Sequence, residues 1–146
     1  MRFLVLGAAC AALALIASPA NAGTADGIVT GAVKIVDRGP DAQRFNLVVI
    51  ADGFRAAELP AFAAAAQSFA DVLLSTPPFD ANLGVNIWRI DVASIDSGAD
   101  EYPSGCLGAA HLARTYFDAT FCTGGLDRLL TANASTAIDV LNARVP

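Results

Sequence analysis

The stretch "SGCLGAAHLARTYFDATFC", residues 104–122, gathers the side chains best suited to covalent chemistry: Cys106, Cys122 and, between them, the only histidine, His111. A thiol beside an imidazole suits nucleophilic hydrolysis, provided the imidazole lowers the thiol pKa and a third group orients the ring. The spacing demands no such third group. The same two sulfurs suit a disulfide if the chain reaches an oxidising compartment, and a lone histidine in an Ala-rich stretch reads as a surface or half-buried helix residue.

The N-terminus bears on that choice. Arg2 precedes an almost uninterrupted apolar run, Phe3 to Ala17, followed by Pro19 and the triplet Ala20, Asn21, Ala22. A basic start, an apolar stretch of about 15 residues and a small-x-small site make a secretory signal peptide, cleaved after Ala22. The run is shorter than the roughly 20 apolar residues that span a bilayer. The expected product is therefore exported, periplasmic or secreted, with no membrane association after cleavage. Cys10 leaves with the signal. The 124 residues that remain form one small domain with eight basic and fourteen acidic side chains. That acidic balance argues against nucleic-acid partners, whose phosphates require Lys and Arg. Two cysteines in an oxidising compartment predict a Cys106–Cys122 disulfide, worth roughly 3 kcal/mol for a loop of this size.

The elements that would carry these groups follow from hydrophobic period. Residues 23–32 read as a flexible leader and Val33 to Val36 as a short edge strand. Phe45 to Ala51 is a continuous apolar, β-branched run, as expected for a strand covered on both faces, and Asp52 and Gly53 end it. From Glu58 to Ser75, Leu59, Phe62, Ala66, Phe69 and Leu73 recur at steps of three and four, which predicts a helix. "VNIWRIDVAS" alternates: Asn86, Trp88, Ile90 and Val92 share one face, Val85, Ile87, Arg89 and Asp91 the other. Strand, helix, strand at this length predicts an α/β fold with a βαβ unit and parallel strands, followed by the stapled loop and C-terminal helices. Leu126, Leu129 and Leu130 begin the apolar face of the last segment, and Ser135 is a candidate cap where the helix restarts. Such a small sheet leaves edges open, which favours self-association.

Two further sites are suggested by residue type. Asp96 and Asp100, with Glu101, carry the oxygen ligands calcium takes, but their spacing matches no EF-hand loop and an acidic solvated loop accounts for them. Asp52 stands at the C-terminal end of a strand, where ligand-binding groups collect in open α/β sheets; a turn-shaping, helix-capping role is the simpler reading. Gly53 stands alone, too little for a phosphate cradle.

Taken in order, "FNLVVIADGF", a helix ending "LLSTPPF", "VNIWRIDVAS", "SGAD", "ARTYFDATFC" and "DRLL" resemble the N-terminal part of the catalytic domain in the IgA-peptidase family of exported zinc metallopeptidases, from about Val33 onward. The resemblance implies peptide-bond hydrolysis in the complete enzyme, by a zinc-bound water held by an H-E-x-x-H helix with its Glu as general base. "AHLARTY" has no Glu beside its His and no partner four residues on. The motif lies downstream in the family, so the expectation is residues 33–146 as the front portion of a truncated metallopeptidase-like domain. That portion brings no catalytic residue, no zinc ligand and no cofactor of its own, and takes a peptide or protein substrate only when completed by downstream sequence. What matches the family is scaffold: Asp52, Gly53, Trp88, Arg89, Cys106, Cys122 and Arg128 to Leu130. A non-catalytic exported binding module or remnant is the alternative, and a Cys/His thiol hydrolase the third reading.

Overall fold

The computed structural model describes residues 23–81, 84–101 and 111–146. Strands β1 (Gly27–Val36), β2 (Phe45–Ile50) and β3 (Val85–Ser94) and helices α1 (Leu59–Leu74) and α2 (Ala134–Arg144) are its regular elements, with short 3-10 turns between them. The sheet has the order β1-β3-β2, so β3 is central. β2 lies parallel to β3, from Phe45 opposite Val85 to Ile50 opposite Ile90, with α1 between them in sequence. The expected βαβ unit is present.

β1 changes the picture at the other edge. It runs antiparallel to β3 and begins at Gly27, so most of the expected leader is strand and the strand expected at Val33 starts well before it. Its side chains do not alternate simply because the register shifts twice, between Val29 and Gly31 and between Lys34 and Val36. Irregularities of this kind break the period-two signal. Gly27 is required by packing: a Cβ there would overlap the Ala93 carbonyl oxygen.

α1 buries Phe62, Ala66 and Ala70, while Phe69, expected on the same stripe, is 46% exposed. The stripe thus turns toward the small residue Ala70, which lets the helix approach Val85 and Ile87 of β3. Ile90, Val92, Phe117 and Val140 form the second part of the core with Phe62 and Ala66. Ile87 and Ile90 are fully buried, each contributing roughly 1.5–3 kcal/mol. β2 is only half-buried along most of its length, and Phe45 is 65% exposed, so the expectation of cover on both faces is corrected: among the described residues β2 lies at the edge of the sheet.

The C-terminal segment holds one helix rather than a continuing series. Leu126 to Leu130 forms turns, and Thr131 bridges to Thr120. These leucines have a helical spacing but no face to bury: Leu126, Leu129 and Leu130 are exposed. Helix α2 starts where Asn133 accepts the Thr136 N–H at 3.1 Å; Ser135 donates to the same Asn133 oxygen at 2.7 Å instead of capping. No helix among the described residues is long and apolar enough to cross a membrane.

Candidate functional site

The C-terminal ends of β2 and β3 meet at Asp52. Its Oδ1 accepts from the Ser94 hydroxyl and from the Phe117 backbone N–H, both at 3.2 Å. Ser94 Oγ in turn accepts the N–H groups of Gly53 and Tyr116, at 3.2 and 3.3 Å. One carboxylate and one hydroxyl therefore join the end of β2, the end of β3 and residues 116–117. Asp52 Oδ2 is buried and has no hydrogen-bond partner among the described residues. The nearby Thr115 hydroxyl accepts from Ala119 N at 2.9 Å. Burial pushes the Asp52 carboxyl above the usual aspartate range, against the opposing pull of the Phe117 N–H and the Ser94 hydroxyl.

Gly53 completes this junction. Its φ of 68° is left-handed, its carbonyl accepts Gly98 N–H at 2.9 Å, and a Cβ at this position would overlap the Gly98 carbonyl. Only glycine meets both demands. The expected capping role of Asp52 is not seen: α1 begins after a 3-10 turn, Ala56–Glu58, at which Glu58 accepts the Arg55 N–H at 2.8 Å. A cavity of about 530 Å³ opens beside the junction, lined by Asp52, Ile50, Phe54, Phe117, Leu130 and Ala137 among others. Its lining is mainly apolar, with Asp52 as its ionisable member.

The other sequence-picked residues are dispersed. Trp88 donates from its indole N–H to Asp41 Oδ1 at 3.2 Å and carries Lys34 Nζ over its ring at 5.1 Å. Arg89 makes paired bonds to Asp91, at 2.8 and 2.9 Å. These serve the sheet. Arg128 is exposed in the turn that precedes α2. Asp96 is gripped by Arg114 at 2.8 and 3.2 Å, which lowers its carboxyl to about 2. Asp100 faces the other way: it is 7% exposed, and its Oδ1 accepts Ala113 N–H at 2.7 Å. Glu101 exchanges backbone hydrogen bonds with His111, at 2.8 and 3.0 Å.

Asp96 and Asp100 are thus each committed to a different local partner. His111 is exposed on an extended bridge rather than a helix. Cys122 takes a left-handed φ of 68°, and Cys106 lies outside the described residues. Among the described residues, no group of three or more His, Cys, Asp and Glu side chains is placed to hold a metal. With one histidine in the sequence, and that one on an exposed bridge, the donor set does not fit a zinc centre of the His-rich catalytic type.

The sequence did not disclose Ser94 and Phe117 as partners of Asp52. The available signal was an aspartate expected at the buried end of a strand, which must find donors somewhere. Their identity depends on contacts 42 and 65 residues away.

No curated protein matches the chain. The family model described as IgA Peptidase M64 matches residues 33–144, a span that holds the last part of β1, all of β2, α1 and β3, the Asp52 junction and all of α2. This chain belongs to the IgA peptidase M64 family.

Proposed function

We propose that this chain is the N-terminal portion of an exported zinc metallopeptidase and that it has no peptidase activity as it stands. The carrying observation is the family match over residues 33–144 in a sequence that contains a single histidine and no H-E-x-x-H. Zinc supplies an activated water in the complete enzyme; the residues of this chain supply the scaffold beside it. Asp52, Ser94 and Gly53 tie the strand ends together, which holds the loops at the end of the sheet in one arrangement.

Export and a Cys106–Cys122 disulfide belong to the same proposal. The leader supports the first. The second is supported by the even cysteine pair left after cleavage and by the bridge from Asp100 to Thr120, which brings the chain next to Cys122 against one flank of the segment that contains Cys106. A free-thiol count on the exported protein tests the pairing. Two oxidised sulfurs leave no nucleophile for a thiol hydrolase.

A second reading, a non-catalytic binding module, is favoured by the largely apolar cavity beside Asp52. The genomic DNA through and beyond the Pro146 codon separates the two. An H-E-x-x-H helix encoded in a continuing or shifted frame is the expected result. A stop with no such helix in any nearby frame would remove the peptidase reading for this product and leave the binding module.

A further inference from the structure

The chain enters β1 through a tight turn that is pressed against the end of β3. Asp26 N donates to Gly23 O at 2.7 Å and Ile95 N donates to Asp26 O at 2.9 Å, while at Gly27 a Cβ would overlap the Ala93 carbonyl oxygen. The Asp26 backbone is thus fixed, and its Oδ2 accepts the Gly23 N–H at 3.0 Å. Among the described residues Asp26 forms no ion pair, and Arg114, whose charge reaches it, is gripped by Asp96 instead. Gly23 is also the residue that follows Ala22, the last of the small-x-small triplet. The donor that Asp26 accepts is therefore the nitrogen that cleavage of the leader sets free.

We propose that removal of the leader turns this contact into an ion pair, Gly23 α-ammonium to Asp26 carboxylate, which fastens the start of β1 to β3 only in the processed protein. The proposal rests on the export reading, with cleavage after Ala22, and not on the peptidase reading. Hydrolysis of the Ala22–Gly23 bond leaves a carboxylate on Ala22 and, at neutral pH, an ammonium group on Gly23. The nitrogen is already within hydrogen-bond distance of Oδ2, so the new charge needs no rearrangement to find its partner. A charged donor holds a carboxylate roughly twice as strongly as a neutral one. Chain ends stay poorly ordered unless something ties them down, which gives the clamp its consequence for β1. Other charged groups face the same corner. Asp118 feels the Asp26 charge, and Asp139 and Arg144 of α2 line a hollow of about 300 Å³ that Thr24 shares. Asp139 is thus the competing carboxylate.

NMR titration of the Gly23 α-carbon tests it, on protein recovered after export whose first residue has been read by mass spectrometry. Asp26→Asn keeps an accepting oxygen and loses the charge. The parent amine is expected to titrate about half a unit higher than the amine of that variant. With a raised folded value, the pair's stabilisation is fully present below the unfolded value of about 7.7–8.0 and is lost as pH rises through the folded one. The urea midpoint of the parent should therefore exceed that of Asp26→Asn near neutral pH, and the difference should shrink at about two units above the unfolded value. A difference that stays constant over that range reports a hydrogen bond alone and would overturn the proposal. Equal titration of the amine in the two proteins, or a value that falls in Asp139→Asn and not in Asp26→Asn, would overturn it while leaving export intact. A first residue other than Gly23 would overturn it together with cleavage after Ala22.

Discussion

At the scale of single residues, Asp52 is the most informative side chain. Its Oδ1 organises donors from two other segments, while its Oδ2 is buried with no partner among the described residues. An aspartate whose folded-state pKa is raised contributes stability that is fully present below its unfolded pKa. That contribution is lost as pH rises through the unfolded and then the folded value. Asp96 has the opposite sign: held at about 2 by Arg114, its contribution is present above the unfolded value and fades as pH falls toward 2. Urea unfolding of Asp52→Asn across the acidic to neutral range should therefore show stability that rises more, or falls less, with rising pH than that of the parent protein. A parallel pair of curves would contradict the assignment. Asp52→Ala strands the Ser94 hydroxyl and the Phe117 N–H and should cost about 1–3 kcal/mol by the same measurement. The sequence marked Asp52 as a strand-end residue, but its role was not legible there because both partners come from distant parts of the chain.

Elements were legible where one physical signal dominated. The β-branched run of β2, the apolar period of α1 and the alternation of β3 lie close to where their patterns put them. β1 was found only in part because two register shifts and glycines at positions 27 and 31 interrupt its period. Leu126 to Leu130 misled for the converse reason: the spacing is helical, yet the following chain bridges Thr131 to Thr120 and leaves the leucines exposed. What starts α2 is the Asn133 cap, so Asn133→Ala should lower stability by about 1 kcal/mol, read as a shift in urea midpoint. The β2–α1 connection depends more sharply on one residue. Gly53→Ala adds a Cβ against the Gly98 carbonyl at a left-handed backbone position and should cost at least about 1–3 kcal/mol from the conformation alone. A variant as stable as the parent would show that the Gly53–Gly98 contact is not needed to hold these two turns together.

At the scale of the whole molecule, the described residues build a three-stranded scaffold with a bonded junction and an apolar cavity at the strand ends, and no metal-ligand cluster among them. Family membership and the absence of H-E-x-x-H were both readable from the sequence, because the first rests on the order of several segments and the second on counting one residue type. β1 was not readable as the antiparallel partner of β3, since pairing is a contact between segments and not a property of either. On the proposed reading, this chain carries part of the peptidase scaffold and does not assemble the catalytic zinc site by itself. Zinc content after incubation of the protein with zinc and removal of unbound ion, alongside hydrolysis of a mixed peptide substrate, decides the matter. The expected result is zinc well below one ion per chain and no hydrolysis above a zinc-only blank. One tightly held zinc per chain together with peptide cleavage would contradict it.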